Sequence, residues 1–193
     1  QFFISYDTYR ELATDYIIDQ KELEIIDKEC DIWRNSSLFK TLKIPKRKVY
    51  LLYGIPGAGK STFVEYIAKK YGLIIRLISL KCATLFALQR LNLKENPGIL
   101  LFEDIDCIYE KRKEKEKYLP FDDLINFIST LDNQIVFITT NNIEKLDEAL
   151  LRSRRIDRKV LMNERLSKEA KYKIASTIIK DENLIEQIMQ EEN

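Results

Sequence analysis

The stretch that decides the fold is Tyr50-Leu51-Leu52-Tyr53-Gly54-Ile55-Pro56-Gly57-Ala58-Gly59-Lys60-Ser61, in which an apolar strand leads directly into the phosphate-loop pattern G-x-x-x-x-G-K-[ST]. Only five glycines occur in the 193 residues, and three of them lie in this loop. Positions without side chains let backbone N–H groups turn inward around phosphate oxygens. The Lys60 ammonium can then reach the β- and γ-phosphates, and the Ser61 hydroxyl can be a ligand of Mg²⁺. The stretch therefore predicts an ATP site formed by Gly54, Ile55, Pro56, Gly57, Ala58, Gly59, Lys60, Ser61 and Thr62.

Composition narrows the chemistry that the chain can perform. No histidine occurs in the sequence, which excludes His-based triads and His-ligated metals and leaves carboxylates, amides, arginines and Mg²⁺. The net charge of +1 provides no general attraction for nucleic acid. The three cysteines have no C-x-x-C spacing, so we expect free thiols in a reducing compartment. No apolar run approaches the roughly 18 residues that span a bilayer, which predicts a soluble, cytoplasmic protein without a membrane segment.

Apolar runs and helical patterns alternate along the chain, as they do in α/β proteins. After the strand that enters the phosphate loop, further strands are expected at 73–80, 99–102, 134–139 and 158–162. Helices are expected within 7–34 and at 60–71, 83–93, 121–131 and 167–180, where apolar residues recur at helical spacing. The continuous apolar runs are typical of strands buried on both faces, so the sequence predicts a parallel sheet flanked by helices.

Two polar clusters follow strands of the predicted sheet. Glu103, Asp104 and Asp106 come directly after the strand 99–102, at the carboxyl end where ligands bind in open α/β sheets. One carboxylate there can hold the Mg²⁺ water shell while its neighbour polarises the attacking water. The cluster 139–142 ends the strand 134–139, and an amide in it can hydrogen-bond both the γ-phosphate and that water. The two clusters predict the catalytic half of a site that hydrolyses a nucleotide.

The residues after the second cluster carry a specific resemblance to a known family. Together with that cluster, they resemble the second region of homology of AAA ATPases, in the run Leu146-Asp147-Glu148-Ala149-Leu150-Leu151-Arg152-Ser153-Arg154-Arg155-Ile156-Asp157-Arg158. Glu103 before Asp104 and the strand end Thr139-Thr140-Asn141 are most similar to the AAA branch that contains the mitochondrial ATPase assembling respiratory complex III. The resemblance covers residues of about 27–163.

The resemblance implies a fold and a division of the chain. The implied fold is the α/β fold of a P-loop NTPase, an AAA core with a parallel five-stranded sheet flanked by helices. We expect a helical segment at 1–26, the AAA core at 27–163 and a short, partial helical lid at 164–193.

The resemblance also implies a role for each polar residue of the site. Glu103 would be the metal-side carboxylate, and both Glu103 and Ser61 would be ligands of Mg²⁺. Asp104 would stand at the water-activating position, and Asn141 would be the sensor of the γ-phosphate. Because Asp104 is one methylene shorter than the glutamate usual at this position, we expect slow hydrolysis.

Two arginines connect the resemblance to assembly. Arg152 and Arg155 would be arginine fingers that reach into the site of a neighbouring subunit, in a homo-oligomeric ring that is a hexamer or a heptamer. Ser153 and Arg154 replace the Pro-Gly that usually separates them, so three basic side chains crowd the turn. The implied function is Mg²⁺-dependent ATP hydrolysis by a ring, coupled to remodelling or translocating a macromolecular client. A protein is the client that the resemblance favours. The family role would place the protein on the matrix side of mitochondria.

Two other segments have weaker signals. Phe86 follows the strand 73–80 without the glycine that a client-threading loop normally contains, so we expect it in the core or at an interface. The charged run Glu110–Lys117 has both signs and no apolar stripe, which is typical of a mobile, solvated loop.

Two alternative functions remain open from the sequence. A phosphotransferase could use the same loop to donate the γ-phosphate to a small acceptor, and it would need neither Arg152 nor Arg155. A slow, nucleotide-gated switch could bind nucleic acid through the basic patch, which we define as Lys43, Lys46, Arg47 and Lys48.

Overall fold

The computed structural model describes residues 4–6, 21–80, 84–91, 93, 96–106, 119–146, 151 and 155–162, with residues 172–173, 175–176, 179 and 185 towards the C-terminus. The elements are β1 (Ile4–Tyr6), α1 (Lys21–Asn35), α2 (Leu38–Leu42), β2 (Arg47–Tyr53), α3 (Lys60–Tyr71), β3 (Ile74–Leu77), α4 (Leu85–Gln89), β4 (Gly98–Phe102), α5 (Phe121–Thr130), β5 (Gln134–Thr140) and β6 (Arg158–Leu161), with a 3₁₀ turn at Ile143–Lys145. None of the helices in this part of the chain is long and apolar enough to cross a membrane.

The strands form one sheet in the order β1-β3-β4-β5-β2-β6. The five strands from β2 to β6 are parallel, which confirms the predicted α/β class. The register of β2 runs from Arg47 opposite Gln134 to Tyr53 opposite Thr140, and β4 places Phe102 opposite Ile138. The carboxyl ends of β4, β5 and β2 therefore lie side by side along the C-terminal end of the parallel strands, where both polar clusters begin.

Alternate residues of the central strands enter two separate hydrophobic cores, because successive side chains of a strand point to opposite faces. One core contains Val49 and Leu51 of β2 and is covered by α4 and α5. The other contains Tyr50 and Leu52 and is covered by α1 and α3. In α1 the buried side chains are Leu23, Ile26, Cys30 and Trp33, a spacing that gives the helix one apolar face. The fold is a three-layer α/β arrangement, with helices on both sides of the sheet.

Several elements differ in length from the sequence expectations. The helix expected at 83–93 covers only Leu85–Gln89. It starts after Thr84, which caps the helix by accepting a hydrogen bond from the N–H of Ala87 at 3.2 Å. The strand expected at 73–80 is limited to Ile74–Leu77, the four residues that pair with β4. Helix α3 has the predicted bounds, and it ends at Gly72, whose φ of 60° places it in the left-handed region.

Of the helical segment expected at 1–26, the structure describes residues 4–6 and 21–26. Residues Ile4–Tyr6 form β1, which pairs antiparallel with β3 and adds a sixth strand to the edge of the sheet. Helix α1 begins at Lys21 and runs across the expected boundary between residues 26 and 27. The division into segments stays a prediction, and most of the expected lid at 164–193 lies outside the described residues.

The basic patch is partly built into the fold. Arg47 donates from Nη1 to the carbonyl oxygens of Ile128 and Ser129, at 2.9 and 2.7 Å, at the C-terminal end of α5. Lys46 places its ammonium 4.6 Å from the centroid of the Trp33 ring, and burial lowers the pKa of this lysine. Two of the four basic side chains are therefore held by intramolecular contacts at the end of the sheet away from the phosphate loop.

Cys30 is a free thiol, as the spacing of the cysteines predicts. It is fully buried in the core under α1, and this burial raises the pKa of the thiol to about 12. Cys30 therefore behaves as a small apolar side chain rather than as a reactive group. The other two cysteines, Cys82 and Cys107, lie outside the described residues.

Candidate active site

The phosphate loop connects the end of β2 to the start of α3. Gly54, Gly57 and Gly59 have φ values of 139°, 79° and 82°, conformations that residues with a Cβ rarely adopt. The N–H of Gly54 donates to the carbonyl oxygen of Thr140 at 3.2 Å, which ties the start of the loop to the end of β5. The other predicted loop residues Ile55, Pro56 and Thr62 are exposed, and Ala58 is half-buried. The loop thus presents its tip, residues 55–57, to solvent beside the N-terminus of α3, as an anion site at a helix N-terminus requires.

Lys60 lies at the centre of the site, with only 7% of its surface exposed. Its Nζ donates to the carbonyl oxygens of Gly54 and Ile55, both at 2.9 Å, and to Oδ1 of Asn141 at 2.8 Å. Burial lowers the pKa of Lys60 below its ordinary 10.5, and the carboxylates of Asp104 and Asp106 act in the opposite direction. Lys60 is therefore in direct contact with Asn141, the predicted sensor of the γ-phosphate.

Ser61 and Glu103 are also in direct contact. The Ser61 hydroxyl donates to Oε1 of Glu103 at 2.5 Å, across 42 positions of the sequence. The two oxygens are hard ligands of the kind that Mg²⁺ prefers, and Mg²⁺ in nucleotide sites takes one or two protein oxygens and completes its shell with phosphate and water. No group of three or more His, Cys, Asp or Glu side chains in the described part of the chain has the arrangement of a closed metal cage. The pair fits a metal that is shared with a bound nucleotide.

Asp104 has an unusual backbone conformation, with a φ of 46° in the left-handed region. Its side chain is exposed, and Oδ1 accepts a hydrogen bond from Nδ2 of Asn141 at 3.1 Å. Asn141 therefore bridges Lys60 and Asp104, since its amide oxygen accepts from one and its amide nitrogen donates to the other. A residue in this backbone region at a polar cluster is typical of a functional position.

Two residues at the site have no assigned role from the sequence. Asp106 is 5% exposed, and its Oδ1 accepts a hydrogen bond from the N–H of Asn141 at 3.3 Å. Thr139 is 2% exposed, and its Oγ1 accepts from the N–H of Asp104 at 3.1 Å. Their positions within the two polar clusters were visible in the sequence. Their contacts depend on the alignment of β4 with β5.

Of the predicted arginine fingers, Arg155 lies within the described residues, whereas Arg152 and its neighbour Arg154 lie outside them. The loop after Arg155 is fixed at Asp157, whose N–H donates to the carbonyl oxygen of Val49 at 2.8 Å and whose Oδ2 accepts from the N–H of Val49 at 2.7 Å. Val49 is five strand residues before Gly54, a separation of about 16 Å. The anchor of the arginine loop is thus well removed from the phosphate loop of the same chain.

Phe86 is not a core residue, because 64% of its surface is exposed. The guanidinium carbon of Arg90 lies 4.6 Å from the centroid of its ring. The expectation of a core position is therefore wrong, and the alternative expectation of an interface stays a prediction.

Comparisons with known proteins identify the family of the chain. The family model for the ATPase family associated with various cellular activities (AAA) matches residues 50–164, more than half of the chain. A probable mitochondrial chaperone BCS1-A of Dictyostelium discoideum is 31% identical to the chain, over 83% of the chain and 42% of the relative. The mitochondrial chaperone BCS1 of Danio rerio is 35% identical, over 70% of the chain and 36% of the relative.

A plant protein is also similar to the chain. The protein HYPER-SENSITIVITY-RELATED 4 of Arabidopsis thaliana is 31% identical over 81% of the chain and 30% of its own length. The chain spans less than half of the length of these curated relatives. The comparisons confirm the family and the branch that the sequence motifs predict. The chain belongs to the family of ATPases associated with various cellular activities, the AAA family.

Proposed function

We propose that the chain hydrolyses ATP to ADP and inorganic phosphate as one subunit of a homo-oligomeric ring, and that the ring uses this reaction to remodel or translocate a protein client. The observation that carries the proposal is the hydrogen-bonded series from Lys60 through Asn141 to Asp104 at the end of the sheet. It joins a cation, an amide and a carboxylate in one cluster, and these are the groups that phosphoryl transfer to water needs.

The phosphate end of the site is formed by the loop and by Lys60. Its ammonium is held by two backbone carbonyls and by Asn141, all weaker partners for a cation than a phosphate oxygen. When ATP binds, Lys60 exchanges some of these acceptors for oxygens of the β- and γ-phosphates. Release of Asn141 then makes its amide available to the γ-phosphate and to the attacking water.

Ser61 and Glu103 are the residues that would hold Mg²⁺, because their oxygens already lie next to each other. When bound, Mg²⁺ would neutralise charge on the β- and γ-phosphate oxygens. The protein contributes the position of these two oxygens, one on the first turn of α3 and one directly after β4.

Asp104 and Asn141 position and activate the attacking water in this mechanism. The water oxygen forms a bond to the γ-phosphorus, and the bond from that phosphorus to the β–γ bridging oxygen breaks, so that ADP leaves with the electron pair. The exposed carboxylate of Asp104 accepts the proton of the water and returns it to solvent. Asn141 fixes the direction of the carboxylate through its hydrogen bond at 3.1 Å.

The assignment of a ring rests on the family and on the predicted role of Arg155. The loop after Arg155 is anchored at Val49, about 16 Å along β2 from the start of the phosphate loop, so Arg155 begins outside the site of its own subunit. An arginine supplied in trans would neutralise charge that develops on the γ-phosphate. The phosphotransferase alternative needs a lid arginine and an acceptor pocket in the same chain, and most of the expected lid at 164–193 lies outside the described residues.

The nucleic-acid alternative loses much of its support. Arg47 bonds the end of α5 and Lys46 lies against Trp33, so half of the basic patch is engaged within the protein. Two of the three relatives above are named mitochondrial chaperones, which favours a protein client. Their names also favour the mitochondrial location over the cytoplasmic one. The exposed Phe86 is a side chain that a client or a neighbouring subunit could contact.

Three single variants test the nucleotide site. Lys60→Ala is expected to abolish binding of a fluorescent ATP analogue, because it removes the cation from the phosphates. Asp104→Asn is expected to retain that binding and to lose steady-state turnover, since the amide cannot accept the proton of the water. Lys69→Ala, on the exposed side of the same helix as Lys60, is the matched control and should match wild type in both assays. Full turnover in Lys60→Ala would exclude the proposed site.

A mixing experiment tests the ring. Arg155→Ala subunits have an intact phosphate loop, and Lys60→Ala subunits have an intact arginine, so each alone should lack turnover, since a trans arginine contributes about 10³–10⁵ in rate. Mixed rings contain interfaces with both intact parts and should regain turnover. Arg34→Ala, at an exposed position on α1, is the control for loss of an arginine. Mixtures that stay inactive, together with a specific activity that does not rise with protein concentration, would instead support the phosphotransferase.

A further inference from the structure

We propose that Thr139 is a positioning residue that holds Asp104 in its left-handed conformation and thereby directs the carboxylate towards the attacking water. The inference rests on the role of Asp104 in the proposed function, and it gives a role to a residue of the second polar cluster that the sequence left without one.

The two hydrogen bonds of Thr139 connect the end of β5 to the turn after β4. Its Oγ1 accepts from the N–H of Asp104, and its carbonyl oxygen accepts from the N–H of Ile105, both at 3.1 Å. Ladder pairing of β4 with β5 ends at Phe102 opposite Ile138. Beyond this pair, the N–H of Asp104 is bonded by the side chain of Thr139 instead of by a backbone carbonyl. This bond lies just after the point where the chain leaves β4.

This side-chain contact matters because of the backbone at Asp104. With a φ of 46°, Asp104 occupies a region that is unfavourable for residues with a Cβ and that aspartate and asparagine tolerate best. A conformation of this kind persists only when its surroundings fix it. Thr139 fixes the N–H side of Asp104, and Asn141 fixes the carboxylate through its bond at 3.1 Å.

Burial makes the contact of Thr139 consequential. Only 2% of its surface is exposed, so a side chain of the same shape without the hydroxyl fills the same space and leaves the N–H of Asp104 without this acceptor. Loss of a single buried hydrogen bond corresponds to a shift of roughly fivefold to tenfold in the population of the conformation that it supports. The productive position of the carboxylate is expected to lose occupancy by this factor.

The arrangement also gives a physical reason for the order Glu103-Asp104. The second position adopts a backbone that suits a short acidic side chain, and the first position extends a longer one to Ser61 at 2.5 Å. The missing methylene at Asp104 is thus matched to its backbone conformation.

The test compares Thr139→Val with Thr139→Ser in the full 193-residue chain. Valine retains the shape of threonine and lacks the hydroxyl, so it should lower kcat for ATP hydrolysis by about fivefold to tenfold. The Kd for a fluorescent ATP analogue should stay within about twofold of wild type, because Lys60 and the phosphate loop are unchanged. Serine restores the hydroxyl and should restore kcat. Thr130→Val is the matched control, since Thr130 donates its hydroxyl to the carbonyl of Phe127 at the far end of α5.

A double-mutant cycle separates positioning from general destabilisation. When Asp104→Asn has removed the carboxylate, Thr139→Val should cause no further loss in the residual single-turnover rate. If the valine variant does not fold, as judged by thermal unfolding, the pair Thr139→Ala and Thr139→Ser provides the same comparison. An unchanged kcat in the hydroxyl-free variants, a serine variant as slow as valine, or a full additional loss with Asp104→Asn would overturn the inference. If wild type does not hydrolyse ATP, or Asp104→Asn keeps full turnover, the proposed function fails instead.

Discussion

Asp104→Glu is expected to slow ATP hydrolysis, although glutamate is the residue usual at the water-activating position of this family. Reach alone suggests the opposite, because a longer side chain would bring the carboxylate further into the site. The structure argues against faster hydrolysis. The backbone of Asp104 has a φ of 46°, and its Oδ1 already lies within hydrogen-bond distance of Nδ2 of Asn141, at 3.1 Å, so a longer side chain would lose this position.

The size of the effect follows from that geometry. One added methylene displaces the carboxylate by about 1.5 Å. A misplacement of about 1 Å in a catalytic group lowers the rate by about 100-fold, so kcat should fall by a factor of about 10 to 100. Glutamate also tolerates the left-handed region less well than aspartate does, which should lower the free energy of unfolding by about 1 kcal/mol.

Two measurements check this expectation. Single-turnover hydrolysis reports the chemical step, and urea denaturation reports the free energy of unfolding. Asp104→Asn serves as the comparison, because asparagine also tolerates the left-handed region; it should lose turnover and retain stability. An Asp104→Glu variant as fast as wild type, or faster, would refute the reasoning and would show that aspartate merely makes the site slow.

Three further predictions concern other parts of the molecule. Ser61→Ala should raise the Mg²⁺ concentration needed for half-maximal turnover, whereas Thr130→Ala, at an exposed position at the C-terminal end of α5, should not. Burial opposes ionisation of Glu29, but the hydrogen bond from Arg158 at 2.7 Å and the charge of Lys48 lower its pKa below 4.5. Glu29→Gln should therefore reduce the free energy of unfolding by about 1 kcal/mol at pH 7, and this difference should shrink as the pH falls below 4.5 and through the lowered pKa. Urea denaturation at a series of pH values from 7 downward measures it, and a difference independent of pH would contradict it. A short neutral replacement of Glu110–Lys117 should leave basal hydrolysis near wild type, and a collapse of turnover would mean that this segment serves the site.

The sequence determined the parts of this protein that depend on neighbouring residues. The strand, the phosphate loop and the helix after it are contiguous, and the preference of glycine for positive φ and the periodicity of apolar residues act over a few positions. The bounds of α3, Lys60–Tyr71, and its end at Gly72 were predictable for this reason. The α/β class followed from the same local signals, repeated along the chain.

Only the tertiary structure decided which polar groups meet. Lys60 and Asn141 are 81 positions apart, and Thr139 and Asp104 are 35 apart. Their contacts depend on the register between strands, and a slip of one residue would turn each side chain to the opposite face of the sheet. The left-handed backbone of Asp104 was equally hidden, because aspartate adopts either conformation in a peptide and the hydroxyl of Thr139 helps to select one. The sequence could name the members of the site, but hydrogen bonds between distant strands, formed when the sheet packs, determine how those members work together.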